Sequence, residues 1–386
     1  MATTGNPPTD RPRRAGADEG VTAIWFALMI VVLLGIGAFA VDLGLGYAVK
    51  RQLSSTADAA ALAGAQEAGL KYGRLGGCGG TLNSAIVAAV NSVHAANAPQ
   101  GSTGSPATSI DCGTDAVTVT VTASSSLPTF LGRILGVNTL APAQSATARV
   151  FGAAEQGTGL RPLTVCLGAV QAAYADWVAQ APARTFQTHF GQHNGTPDGS
   201  CNPTGAPGNW GYASFDVGGS QPTLLCLIAN GYGPACGGST DGVDIGTPTT
   251  YVWSAGNTGN SLQPSSASTI SKMLTQPILL PVARNWRGNG SNAEYESFGG
   301  VGVQVCGWVM PKNNGEPQVW DYGPNYTGVN CWDQALYNSA KANWDKVSLV
   351  IQWRFVKWVG SYQGQSTTNR CALGDPTCPA TVALIQ

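Results

Sequence analysis

Ten cysteines are the residues of this chain best placed to react with one another: Cys78, Cys112, Cys166, Cys201, Cys226, Cys236, Cys306, Cys331, Cys371 and Cys378. Their number is even, and all of them follow a long apolar segment. That one-sided placement fits an oxidising compartment, where thiols pair as structural disulfides. No Cys-x-x-Cys occurs, so neither a zinc ribbon nor a thioredoxin-like redox centre is indicated. Nearest-neighbour spacing suggests Cys78 with Cys112, Cys226 with Cys236, Cys306 with Cys331 and Cys371 with Cys378. Cys166 then falls to Cys201, although sequence alone leaves other connectivities open.

Other reactive residue types are sparse. His189 and His193 stand four apart, a spacing that on a helix puts two metal ligands on one face. Gly191 between them and Asn194-Gly195 after them break the helix, so both are expected in a loop. His94 is expected on the surface of an Ala-rich helix. Glu294 with Glu296 and Asp241 with Asp244 are the carboxylate pairs that could serve as acid and base, but closeness in sequence does not place them across a cleft. Trp308, Trp320, Trp332 and Trp344 recur at a constant interval with unrelated flanks, which suggests strand-and-turn spacing over a glycan-binding platform. Neither a nucleophile elbow nor a phosphate-binding P-loop is present. No catalytic residue, metal ligand or cofactor is assigned.

The surroundings of these residues are polar but weakly charged. Charged residues make up 11% of the chain, against roughly 25% in ordinary soluble domains. The 51 glycines, with abundant Ser, Thr and Asn, therefore imply a loop-rich surface of neutral polar groups. Net charge is -1, and no basic cluster able to track phosphates follows the first 14 residues, which argues against a nucleic-acid partner. At 386 residues the chain can bury a large core without metals.

The strongest pattern is the charge-free run Val21 to Val41. At ~1.5 Å per residue a helix of this length matches a hydrocarbon core of ~30 Å. Arg11, Arg13 and Arg14 precede it and Asp42 follows, which favours a cytoplasmic N-terminus, with Lys50 and Arg51 reducing the asymmetry. A cleaved leader is the competing reading, because Ala38-Phe39-Ala40 offers a cleavage box. Against cleavage, the sequence after Val41 stays helical in character: it lacks proline, and Val41, Leu45, Val49, Leu53, Ala57, Ala60 and Gly64 draw one apolar stripe.

Gly20, Phe26, Ala27, Ala40, Val41, Asp42, Gly44, Tyr47, Arg51, Gln52, Leu53 and the run Ala57 to Gly64 resemble the N-terminal signature of TadE/TadG-like proteins of the Flp, or tight-adherence, pilus assembly system. The strand, Phe-containing segment and second strand that follow are similar to the same family, and parts of residues 276–360 look like TadG-like proteins of high-GC Gram-positive bacteria. Two departures limit the carry-over. Trp25 stands where prepilin-like members have glutamate, which argues against processing into a polymerising pilin. The string Asp216 to Ser220 has glycine where the metal-dependent adhesion site of some larger members has its first serine.

Together these features predict an α+β chain: a cytoplasmic tail (1–20), a transmembrane helix (21–41), an extracytoplasmic helix (42–72), an α+β module (73–155) and a Cys-rich, loop-rich, β-containing extracytoplasmic region (156–386). Expected elements are helices over 81–97, 127–135 and 162–181, and strands over 116–123, 144–151, 278–283, 299–309 and 347–359, with long loops and short strands over 191–266 held by Cys201, Cys226 and Cys236.

The resemblance implies a non-catalytic, single-pass protein of the bacterial plasma membrane that works with other pilus or secretion components. A cell-surface adhesin or a secreted hydrolase are the alternatives. Ala57, Ala60, Ala61 and Gly64 form a small-residue face that either docks a partner helix or packs on the chain's own sheet. N-terminal sequencing of the mature protein is expected to show Val21 to Val41 retained; a start at Val41 would identify a leader.

Overall fold

A computed structural model describes residues 18–99, 101–102, 104–130, 132–152, 155–156, 159–181, 185–191, 211–240, 242–246, 252–256, 262–288, 294–311, 317–322, 331–340, 347–361 and 371–385. Helix α1 (Asp18–Lys71) is continuous over 54 residues, because nothing in it breaks the ladder of backbone hydrogen bonds and Ala and Leu dominate its second half. Helix α2 (Gly80–Asn97) folds back against it. The chain then forms β1 (Ala107–Cys112), β2 (Ala116–Ser124), a small hairpin of β3 (Leu127–Pro128) and β4 (Thr139–Leu140), and β5 (Ala143–Gly152). Between β3 and β4 lies a 3-10 turn, Gly132–Leu135. The helix expected over 127–135 is thus cut short: Pro128 disfavours helical backbone at the residue before it.

Strand β2 shows why this module folds as two layers. Val117, Val119, Val121 and Ala123 are buried and the intervening threonines are half-buried, so a period of two aims one face at the helices. On the other face Thr120 and Thr147 pair side chain to side chain at 3.0 Å across β2 and β5.

The next segment adds the short pair β6 (Glu155–Gln156) and β9 (Val243–Asp244) and then a seven-stranded sheet. Its strands are β7 (Val165–Cys166), β8 (Thr185–Gly191), β10 (Val252–Ala255), β11 (Ile278–Arg287), β12 (Glu294–Pro311), β13 (Pro317–Tyr322) and β14 (Val347–Phe355). The path is β7-β11-β12-β14-β8, with β10 and β13 also paired to the long β12. Its helices are α3 (Leu167–Val178), α4 (Gln221–Asn230), α5 (Ala267–Ile270) and α6 (Gln334–Ala340). Helices α3, α4 and α5 cover one face, packing Trp177, Ile228 and Ile270 with Trp308, Trp353 and Phe355.

Two sequence expectations change here. Helix α3 begins at Leu167 and not Pro162, because Val165–Cys166 is drawn into a parallel pairing with β11. Helix α4 lies inside a stretch expected to hold loops and short strands, started by Ser220, whose side chain accepts from Thr223 N at 3.3 Å.

The last strands, β15 (Val359–Ser361) and β16 (Ala380–Ile385), leave this sheet and complete the first one, in the order β1-β2-β5-β16-β15. A boundary at residue 155 therefore divides the chain but not the sheets. Where the chain crosses, the disulfide loop Cys371–Cys378 acts as a clasp. Leu373 N donates to Thr114 O at 3.0 Å on the first sheet, and Gly300 N donates to Thr377 O at 3.0 Å on the second. Gly299, at φ 119°, admits Thr377 O to 2.1 Å from where a Cβ would stand, so only glycine fits.

Lys357 holds the clasp from within: its buried ammonium donates to Asp375 O at 2.9 Å and to Cys378 O at 2.8 Å. Burial lowers its pKa from 10.5 to about 8, against an opposing pull from Asp375. Above about pH 8 the unfolded chain holds a proton that the folded chain has released, so stability rises with pH until the unfolded value near 10.5 is passed. Chemical denaturation across this window is expected to show the rise, up to about 3 kcal/mol, and Lys357→Met is expected to flatten it relative to the parent.

Candidate membrane anchor and helix interface

Every described side chain from Val21 to Val41 is exposed along α1, an apolar collar that no other part of the described chain covers. A surface of this size and composition is stable only against lipid or another apolar body. It is the one helix among the described residues long and apolar enough to cross a membrane.

Burial begins at an unexpected residue. Asp42, the first charge after the span, is 7% exposed, and its two carboxylate oxygens accept from Phe130 N at 2.8 Å and Gly132 N at 2.9 Å. In the sequence Asp42 enters only the charge asymmetry about the apolar run and the TadE/TadG-like resemblance. The tie to a loop almost ninety positions away is a non-local fact that residue type does not signal.

Further along α1, Val49, Leu53, Ala57, Ala60, Ala61, Ala65 and Ala68 enter the core of the first module. Val41 and Leu45, at the start of the expected stripe, stay exposed because the module reaches down the helix only through the β3–β4 hairpin. A Cβ on Gly64 would stand 2.7 Å from Val90 Cγ2 and 3.0 Å from Val119 Cγ1. The small residues let α2 and β2 approach the helix at once. Ala57, Ala60, Ala61 and Gly64 therefore form an internal face, which corrects the partner-docking reading: their surface is already used by the chain itself. Arg51, Gln52, Ser55 and Gln66 remain exposed on the outer side.

The other candidates are scattered. Cys78–Cys112 ties the α1–α2 connection to edge strand β1, Cys226–Cys236 closes the end of α4, and Cys306–Cys331 fixes the approach to α6. Cys166 is also disulfide-bonded, and Cys201 lies outside the described residues. His94 is buried and not on a surface, because it continues the stripe Leu82, Ile86 and Val90 at four-residue spacing. Burial lowers its pKa. His189 sits in β8 and not in a loop, where pairing with β14 sets its backbone; His193 is outside the described residues. Its Nε2 is 2.8 Å from Gln187 Nε2, and Gln187 Oε1 accepts from Gln352 Nε2 at 3.1 Å. Gln352 exchanges two bonds with the backbone of Asp333, whose carboxylate caps α6. This buried polar network, missed in the sequence, seats α6 on the sheet.

Glu294 and Glu296 lie on β12 with separate arginine partners, Arg287 at 2.5 Å and Arg284 at 3.3 Å, and so form two ion pairs in place of an acid–base pair. Asp244 accepts from Gly246 N in a local turn, while Asp241 is outside the described residues. Trp308 is buried, Trp332 is half-buried beside Tyr337, and Trp320 is exposed; Trp344 lies outside the described residues. Three differing environments do not make an aromatic platform. Among the described residues no group of three or more His, Cys, Asp or Glu could hold a metal ion.

A family model described as putative Flp pilus-assembly TadE/G-like matches residues 20–67, the apolar span together with most of the core-forming half of α1. No curated protein and no solved structure matches the chain.

Because Ala60 and Gly64 are enclosed, Ala60→Trp and Gly64→Val are each expected to cost about 1 to 3 kcal/mol through overpacking. Thermal unfolding of the detergent-solubilised chain checks this, with Ser55→Trp on the exposed side as the control expected to leave the midpoint unchanged.

Proposed function

We propose that this chain is a non-catalytic envelope protein of Flp/Tad-type pilus assembly or secretion, of the TadG-like kind of high-GC Gram-positive bacteria. It is held by one pass in the plasma membrane, with its N-terminus cytoplasmic and its bulk outside. The observation that carries this reading is helix α1, half exposed apolar collar and half core of a folded module, overlaid by the pilus-assembly family match at residues 20–67. Arginines before the span and cysteines only after it support the orientation. The pilus-assembly family is generally non-enzymatic, in keeping with carboxylates held in separate ion pairs.

A rigid helix joining lipid to a disulfide-braced domain suits an anchor or guide better than a catalyst. Other assembly components would meet it on its outer side, at Arg51, Gln52, Ser55 and Gln66, or on the far sheet. In cells, the tagged full chain is expected to stay in the membrane pellet after alkaline carbonate, to lose its bulk to external protease, and to be isolated with the pilus secretion machinery after crosslinking. Release by carbonate would remove the anchor. Normal pili in a strain lacking the gene would remove the assembly role.

A further inference from the structure

The hairpin β3–β4 runs down α1 toward the membrane. A Cβ on Gly46 would meet Leu140 Cδ1 at 3.2 Å at the hairpin's base, and Asp42, one turn nearer the span, holds the tip through Phe130 N and Gly132 N. Asp42 directly follows Val41, so the tip stands where α1 leaves the hydrocarbon. There Phe130 is 79% exposed and Val137 is 48% exposed, with Arg133 exposed between them. Leu43 and Leu45, which flank Asp42 on the helix, are exposed as well.

We propose that this tip is a second membrane contact, with Phe130 and Val137 entering the outer leaflet beside the anchor and Arg133 meeting lipid phosphates. The inference rests on the reading that Val21 to Val41 spans the bilayer. Lipid is the occupant because the patch is continuous with the anchor's own apolar surface. The buried charge argues the same way: a carboxylate at that depth is costly unless hydrogen-bonded, and the tip's two amides supply those bonds while shielding it. Tyr47, 71% exposed, and Lys50 and Arg51 follow about 8 to 14 Å farther out, at headgroup depth for an aromatic belt and snorkelling cations. An apolar wedge of this kind sits ~5–10 Å into the headgroup and acyl boundary.

The test uses the full chain in vesicles of phosphatidylethanolamine and phosphatidylglycerol carrying a lipid with a nitroxide high on the acyl chain. Single cysteines at Leu33→Cys, Phe130→Cys and Gln66→Cys receive an environment-sensitive fluorophore without reduction of the native disulfides. Gln66 lies ~36 Å beyond Asp42 along the helix and reports the aqueous baseline. The expected result is quenching at Phe130 roughly threefold above Gln66, accompanied by quenching at Leu33. Adding Asp42→Ala should lower the Phe130 signal at least about twofold while Leu33 is unchanged, since the loss of two capping bonds frees the tip. If Leu33 is quenched and Phe130 matches Gln66, the tip does not enter lipid and the proposal fails alone. If Leu33 is not quenched either, the anchor reading fails with it. Protection of Phe130 that requires an added pilus component assigns the tip to a protein and overturns the lipid contact.

Discussion

Side-chain size along one face of α1 is the constraint on which the rest of the first module depends. Alanine and glycine from Ala57 to Gly69 let α2 and the strands β2, β5 and β16 close around the same short length of helix. Gly69 would place a Cβ 2.9 Å from Val150 and 3.1 Å from Val359, so the C-terminal strands as well as the early ones are fitted to this groove. Larger residues would push the sheet away and leave the valines of β2 half wet. The helix is thus apolar in two different ways: large, exposed side chains in its first half, small ones packed against protein in its second. Residue size, more than hydrophobicity, divides the two roles.

The second constraint is the clasp Cys371–Cys378, through which a non-local topology is locked. After β14 the chain crosses from the seven-stranded sheet to the first sheet, and only β16 joins the end of the chain to β5. Closing so long a loop is entropically costly, and the energy to offset it is concentrated where both sheets touch one loop. Tyr174 of α3 donates to Gly374 O at 2.5 Å, adding a third element to the same contact. The buried Lys357 is a compromise: it donates to two loop carbonyls, at the expense of desolvating a charge.

How much of this was legible in the sequence follows from whether a feature is local. The span, the alternation in 116–124 and the helix over 80–97 are written in periodicities that their own residues carry. The burial of His94 is legible too, in its four-residue spacing from Val90, although histidine as a residue type points to a helix surface. The start of α4 is signalled by Ser220 followed by Pro222, but in a Gly- and Pro-rich stretch the capping signal is hard to separate from loop composition. The return of β16 to the first sheet, the role of Asp42 and the Gln187–Gln352 network are partnerships between distant segments. Nothing in either partner alone specifies the other.

Continuity of α1 has a mechanical consequence. The exposed apolar half and the core-forming half belong to one helix with no loop between them, and the β3–β4 hairpin braces the joint at Asp42, so on the proposed anchoring the module would have no hinge at the bilayer surface. Its orientation would then follow the tilt of the apolar half. Force on the far sheet would be transmitted through the clasp to β16 and from β16 to α1, with each step crossed by buried packing or a disulfide-closed loop. The four disulfides between described residues brace their elements against local opening without tying the helix to anything beyond its own module. The proposed anchoring role, in which the module holds a fixed posture while other components move past it, would need this distribution of stiffness.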